Sequence, residues 1–238
     1  MSQAQTIPQP ARPSPWEMYR AMVGIGLLCG LLIVSVYQLT KPVIDRNRAE
    51  ALSRAIFHVL PEAKSSETFQ LLEDGSFERV EQGAAEDQLV YAGFDDQQRL
   101  VGFAIEAEGM GYADVIRVLY GYSFANDAIV GIRVLETKET PGLGDKIETD
   151  PVFLENFHRL DVSLTEDLSA ILNPIESVKR GEKEHPWQVD AITGATISSK
   201  AIANILSKSS QHWVPRIRQH LDHFHHSGSG GSSPGSEP

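Results

Sequence analysis

The sequence predicts an α+β fold: an antiparallel sheet with packed helices, preceded by one N-terminal transmembrane helix. Three observations carry this prediction. Residues 21–40 are 20 consecutive positions without a charge. β-Branched and aromatic runs follow at 89–94, 99–106, 114–122 and 128–136, broken by turn-forming residues. Beyond residue 196, Ile197, Ala201, Ile202, Ile205 and Leu206 recur at helical spacing.

Residues 1–15 are rich in Pro and Gln and are expected to be disordered. The segment 16–41 is expected to span a membrane, since 20 residues at about 1.5 Å each match the ~30 Å hydrocarbon core. Trp16, Tyr19 and Tyr37 stand near its ends, where amphipathic rings favour the interface. The run is longer than a signal-peptide core and lacks an Ala-x-Ala-like cleavage site, which favours a retained anchor. A soluble helix would need a partner on every face. Arg12 and Arg20 precede the span, while Lys41, Arg46, Arg48 and Arg54 follow it. By charge bias alone, the C-terminal domain belongs in the cytoplasm.

Residues 42–62 read as a helical connector that Pro61 terminates. The folded domain is expected over 63–212. Within it, Asp95-Asp96-Gln97-Gln98 and Asn126-Asp127 mark turns between strands. Ile116, Val118 and Tyr120 alternate with Arg117, as in a half-buried antiparallel strand. A short helix is expected over 151–159, and the helix from Ile197 should stop at Pro215. Residues 213–238 read as a flexible His-, Ser- and Gly-rich tail.

Composition narrows the chemistry. The net charge of −11 excludes a nucleic-acid partner, which demands clustered Lys and Arg. Cys29 is the single cysteine, so no internal disulfide, Cys-ligated iron–sulfur cluster or Cys-x-x-Cys-His haem site can form. No Gly-x-Gly-x-x-Gly unit joins a strand to a helix, which argues against a dinucleotide site. His212, His220, His223, His225 and His226 have metal-like spacing. They adjoin the tail with only Asp222 as a nearby oxygen donor, so no metal is expected.

The most informative segment is Asp190-Ala-Ile-Thr-Gly-Ala-Thr-Ile-Ser-Ser199. It places Thr196 at a helix N-terminus, where unpartnered N–H groups and the helix dipole suit a phosphate. Gly194 and Ala195 leave the hydroxyl room. From the residues alone, Thr193, Thr196, Ser198 and Ser199 equally fit an ordinary N-cap cluster. A second segment, Glu139-Thr-Pro-Gly-Leu-Gly-Asp-Lys-Ile147, is a tight turn in which Gly144 can take φ > 0. A third, Glu108-Gly-Met-Gly-Tyr112, suits either a bend or a ligand edge.

Asp190, Thr193, Gly194, Ala195, Thr196 and Ser199 match a D-x-x-[ST]-G-A-T-x-x-[ST] pattern. The chain thereby resembles the G subunit of the Rnf/Rsx ion-translocating electron-transport complex, a family with a covalent FMN-binding domain. The C subunit of the Na⁺-translocating NADH:quinone reductase shares the pattern. The 139–147 segment resembles the Rnf type, although many relatives carry His where this chain has Thr137.

The resemblance implies FMN joined to Thr196 through a phosphoester, attached by a flavin transferase that recognises Asp190, Thr193, Gly194, Ala195 and Thr196. It implies cofactor contacts from Gly111, Tyr112, Thr140, Gly142, Leu143, Gly144, Thr193, Gly194, Ala195, Ser199 and Lys200. Lys138, Lys146 and Lys200 are candidates to face the phosphate or the reduced ring, although for at least two of them a solvated place on an acidic surface is the expected reading. No residue is expected to be catalytic. The implied role is electron transfer within an ion-translocating oxidoreductase complex, with other membrane subunits as partners. The implied location is the bacterial inner membrane with the domain on the periplasmic side, against the charge bias. Two alternatives remain: the equivalent subunit of a sodium-pumping quinone reductase or another membrane reductase, and a membrane-anchored scaffold without flavin.

Overall fold

The computed structural model describes residues 14–80 and 88–224. The chain divides into two compact units, residues 1–51 and 52–238. The expected disordered terminus 1–15 lies almost wholly outside the described residues, as do His225, His226 and the rest of the tail.

In the first unit, the chain is helical from Pro15, and helix α1 (Pro15–Val59) continues through Pro42. Its apolar side chains are exposed from Trp16 to Ile44. It is the one helix among the described residues long and apolar enough to cross a membrane. That exposure is what lipid requires, since hydrocarbon replaces the protein partners a soluble helix would need.

In the second unit, one antiparallel sheet carries the fold. Its strands are β1 (Ser65–Leu71), β2 (Phe77–Val80), β3 (Leu89–Phe94), β4 (Leu100–Met110), β5 (Val115–Ser123), β6 (Ala128–Glu136) and β7 (Leu160–Asp161). The spatial order is β2-β1-β3-β4-β5-β6-β7. Between β6 and β7 lie two short helices, α2 (Lys146–Thr149) and α3 (Pro151–Glu155). Strands β8 (Glu176–Val178) and β9 (Gln188–Asp190) form a separate parallel pair. Helix α4 (Thr196–Gln219) and a 3₁₀ turn (Leu221–Phe224) follow.

The four expected central strands are β3 to β6, each within a few residues of its predicted bounds. Strands β1 and β2 are not predicted from the residue pattern. Their pairing reflects partner geometry rather than composition: Ser65 to Gln70 pair with Phe94 to Leu89, and Phe77 to Val80 pair with Leu71 to Thr68.

Strand β5 is buried on both faces, not one. Ile116, Val118 and Tyr120 point into the main core with Ile202, Ile205 and Leu206 of α4. Leu119 points the other way, into a second cluster with Tyr91, Ala104 and the last turns of α1 at Ala55, Ile56 and Val59. The sheet is therefore a middle layer between helical segments, a standard solution for covering two apolar faces.

Two expectations at the C-terminal end are corrected. Helix α4 does not stop at Pro215 but runs to Gln219. An interior proline forfeits one hydrogen bond and costs ~3 kcal/mol. Burial of Trp213, Val214, Pro215 and Ile217 offsets that loss. Residues 213–224 are likewise not a loose tail. Phe224 is 1% exposed. Its ring centroid lies 4.9 Å from that of Phe69 and 4.7 Å from those of Phe77 and Phe103.

Candidate functional site

Strand β9 ends at Asp190, and Ala191 and Ile192 bury their side chains. The chain then reverses through Gly194 at φ 88°, a conformation that favours glycine. The Ala195 N–H donates to the Ile192 carbonyl at 3.0 Å. Helix α4 starts at Thr196 with Ala195 as its N-cap, and no side chain caps it. The hydroxyl cluster thus has other work. Ser199 Oγ accepts from Ile192 N at 3.0 Å and donates to the Ala195 carbonyl at 2.9 Å. Ser199 is fully buried, so it braces the loop from beneath instead of facing a ligand.

Thr193, Gly194 and Thr196 are exposed, and Ala195 packs inward. Among the described residues, nothing hydrogen-bonds to the Thr196 hydroxyl. Ile197 is 58% exposed, and the buried face of α4 begins at Ser198. Its place in the expected apolar stripe is therefore corrected: burial on α4 starts one residue later, with a hydroxyl rather than an aliphatic side chain.

The 140–145 turn hangs on one carbonyl. Thr140 O accepts from Leu143 N at 3.1 Å and from Gly144 N at 3.0 Å. It is Gly142, at φ 77°, and not Gly144, that takes the left-handed conformation. Thr140, Gly142 and Leu143 are exposed, with Leu143 at 52%. Gly144 is needed for close approach: a Cβ there would lie 2.5 Å from Glu139 Oε2. Gly111 has the same constraint, with a Cβ 2.5 Å from Glu139 Oε1.

Glu139 is a residue that sequence reasoning misses. It is 5% exposed. Its Oε1 accepts from Tyr112 N at 2.8 Å and Ala113 N at 2.9 Å, at the tip of the β4–β5 hairpin. Its Oε2 accepts from Ser198 Oγ in the first turn of α4. One carboxyl group thus brings together the segments around Gly111–Tyr112, Thr140–Gly144 and Thr196. The signal is present as the first letter of the 139–147 motif, but its partners lie 26, 27 and 59 residues away. Thr137 has a local task here, its hydroxyl accepting from Glu139 N at 3.2 Å.

The other candidates separate from this cluster. Asp190 Oδ1 accepts from Gly181 N at 3.1 Å and Lys183 N at 3.2 Å, tying down the turn before β9. With Pro151, Val152, Glu155, Asn156 and Lys183 it lines an open cleft of about 470 Å³. Burial pushes the Lys183 amine below its ordinary pKa, partly opposed by the Asp190 charge. Lys138 is paired with Asp114 at 2.7 Å. A hydrogen bond from Lys138 holds the Asp114 carboxyl below its usual range, and the same contact raises Lys138. Lys146 and Lys200 are exposed.

The described histidines of the C-terminal group make packing contacts. His223 Nδ1 accepts from Phe77 N at 3.3 Å, and His220 Nδ1 lies 3.0 Å from the Arg216 carbonyl. Among the described residues, no three His, Cys, Asp or Glu side chains are grouped to hold a metal.

Chemically, the cluster offers groups that could hold an anion joined to a flat group. A helix N-terminus presents amides beside an exposed hydroxyl. Glycine turns expose backbone, and Tyr112, Leu143 and Ile197 expose apolar surface. Asp145 Oδ1, next to Gly144 in the chain, is buried without a hydrogen-bond partner among the described residues. These features fit a flavin mononucleotide.

Comparison with known proteins agrees with that fit. The FMN-binding domain family matches residues 111–211. The G subunit of an ion-translocating oxidoreductase complex from Methanosarcina acetivorans is 32% identical over 190 residues, covering 78% of this chain and 87% of that protein. The corresponding G subunit of Pasteurella multocida is 29% identical over 197 residues, covering 82% and 91% respectively. Among solved structures, NqrC of Shewanella oneidensis superposes with a TM-score of 0.54 at 17% identity, covering 76% of this chain and 98% of that one. The C subunit of the Na⁺-translocating NADH-quinone reductase of Parabacteroides distasonis gives 0.53 at 19%, covering 72% and 94%. These two likenesses concern the fold alone.

Proposed function

The chain belongs to the G-subunit family of ion-translocating oxidoreductase complexes, and from that premise we propose that it carries electrons through an FMN held covalently on Thr196. The observation that supports this most is the exposed, unengaged Thr196 hydroxyl at the start of α4, inside the matched FMN-binding domain.

In the proposed maturation, an external flavin transferase supplies FAD. Thr196 Oγ1 bonds to the flavin-side phosphorus, the pyrophosphate P–O bond breaks, AMP leaves, and the hydroxyl proton passes to the transferase or to water. The first-turn amides of α4 then face a phosphodiester anion, which the helix dipole favours. The flavin, when bound, supplies the redox chemistry. The protein would orient it through the apolar surface that Tyr112, Leu143 and Ile197 expose. A tether keeps the carrier at high effective concentration beside the next one. Thr193 and Gly194 are exposed, available to a transferase. Asp190 serves recognition indirectly, by shaping the strand that leads into the turn. Lys200, also exposed, is a candidate phosphate neighbour.

The proposed setting is the bacterial inner membrane, with residues 16–41 spanning it, the domain on the periplasmic side, and other subunits of the complex as neighbours. Labelling an introduced surface cysteine with a membrane-impermeant maleimide in intact cells checks the orientation. Labelling only after lysis would place the domain in the cytoplasm, as the flanking charges suggest. The attachment is checked by Thr196→Ala. The denatured wild-type band should fluoresce under ultraviolet light and the variant band should not. Fluorescence that survives the substitution rules out this site.

A further inference from the structure

We propose that Glu139 is the positioning residue of the flavin site, fixing the 111–114 hairpin, the 140–145 turn and the first turn of α4 in one arrangement. This rests on the reading of Thr196 as the attachment point, but the clamp is a property of the protein itself.

A carboxyl group 5% exposed is costly to bury unless donors surround it. Here three donors do: Tyr112 N, Ala113 N and Ser198 Oγ. Two glycines flank it, and neither tolerates a Cβ without striking a carboxyl oxygen. Each of the three segments also presents a large exposed apolar side chain: Tyr112 at 64%, Leu143 at 52% and Ile197 at 58%. Tyr112 donates through its own backbone, Leu143 precedes Gly144, and Ile197 precedes Ser198, itself next but one to Thr196. The hairpin tip and the first turn of α4 are therefore placed relative to each other by the one carboxyl group both donate to, and the 140–145 turn follows that residue directly in the chain and packs against it at Gly144. If only stability were at stake, a well-packed apolar residue would serve as well or better. A directional acceptor serves a geometry.

The test uses the full-length protein in its membrane, both flavinylated and as apoprotein produced without transferase, with Glu139→Ala, Glu139→Gln and Ser198→Ala. In the apoprotein, Glu139→Ala should accelerate amide exchange at Tyr112 and Ala113 by about tenfold or more, since both lose their acceptor. In the flavinylated form it should raise flavin fluorescence and shift the midpoint potential, per flavin bound. Glu139→Gln keeps an oxygen acceptor and should restore both readouts. Ser198→Ala removes one donor and should fall between, providing a milder variant if Glu139→Ala does not fold.

A lowered Tm with unchanged exchange at 112–113, unchanged fluorescence and unchanged potential would make Glu139 an ordinary buried residue and overturn the proposal. If wild-type Thr196 carries no flavin, the attachment reading fails, and the exchange data alone decide the clamp.

Discussion

Helix α4 begins among small and polar residues and ends among aromatic rings. At its first turn, Ser198 and Ser199 are buried and hydrogen-bonded to Glu139, Ile192 and Ala195. At its far end, Trp213, Val214 and Ile217 are buried, and Phe224 beyond them packs against Phe69, Phe77 and Phe103. Apolar burial is non-directional and scales with area. Hydrogen bonds to a buried carboxyl contribute less net stability but fix positions. The aromatic end holds the helix on the sheet, and the polar end decides where its first residue stands. That division predicts that stability and flavin chemistry can be damaged separately.

The strongest separation should come from Thr196→Ala. It should abolish covalent flavin while leaving apoprotein stability within about 0.5 kcal/mol of wild type, as for an exposed substitution. Intact mass and urea unfolding of the apoprotein check both halves. At the other end, Phe224→Ala should cost about 3–5 kcal/mol, read as a lower unfolding midpoint. Attachment at Thr196 should still reach completion below the lowered Tm. Loss of attachment in the folded variant would mean that the two ends are coupled.

Gly194→Ala should have a smaller effect that falls on the polar end. Forcing a Cβ into φ 88° costs about 1–2 kcal/mol. Flavin yield should fall at limiting transferase, while exchange near Phe224 stays unchanged. The mildest effect concerns pH. The Asp114 carboxyl sits below the ordinary aspartate range, chiefly through the hydrogen bond from Lys138. A depressed carboxyl stabilises above its unfolded pKa and loses that contribution as pH falls through its folded pKa. Protection of the hairpin-tip amides, measured relative to their intrinsic exchange at each pH, should therefore fall as pH drops below about 4, and Asp114→Asn should remove that dependence. An unchanged profile in the variant would assign the acid sensitivity to another group.

The features legible from sequence are those written in contiguous residues. Residues 21–40 announce a long, uncharged apolar helix, and the structure has one over that stretch, long and apolar enough to cross a membrane. The four central strands carry β-branched and aromatic runs bounded by turn residues, and the Thr-Gly-Ala-Thr turn sits at a helix start as read. What escapes is written across the chain. Strand β1 has a mostly polar sequence, and only its place between β2 and β3 makes it a strand. A stop at Pro215 and a loose His-rich segment are reasonable local readings that burial overrides.

Local chemistry by itself determined where this chain can meet a membrane, which hydroxyl starts α4, and which turns expose backbone, because each depends on a few neighbours in sequence. Tertiary structure alone decided that Glu139 would join those pieces. It also decided that Ser199 would turn inward while Thr196 stays free, and that Phe224 would close the core. Burial and hydrogen-bond satisfaction are properties of a packed interior, and no side chain carries them until the chain has folded around it.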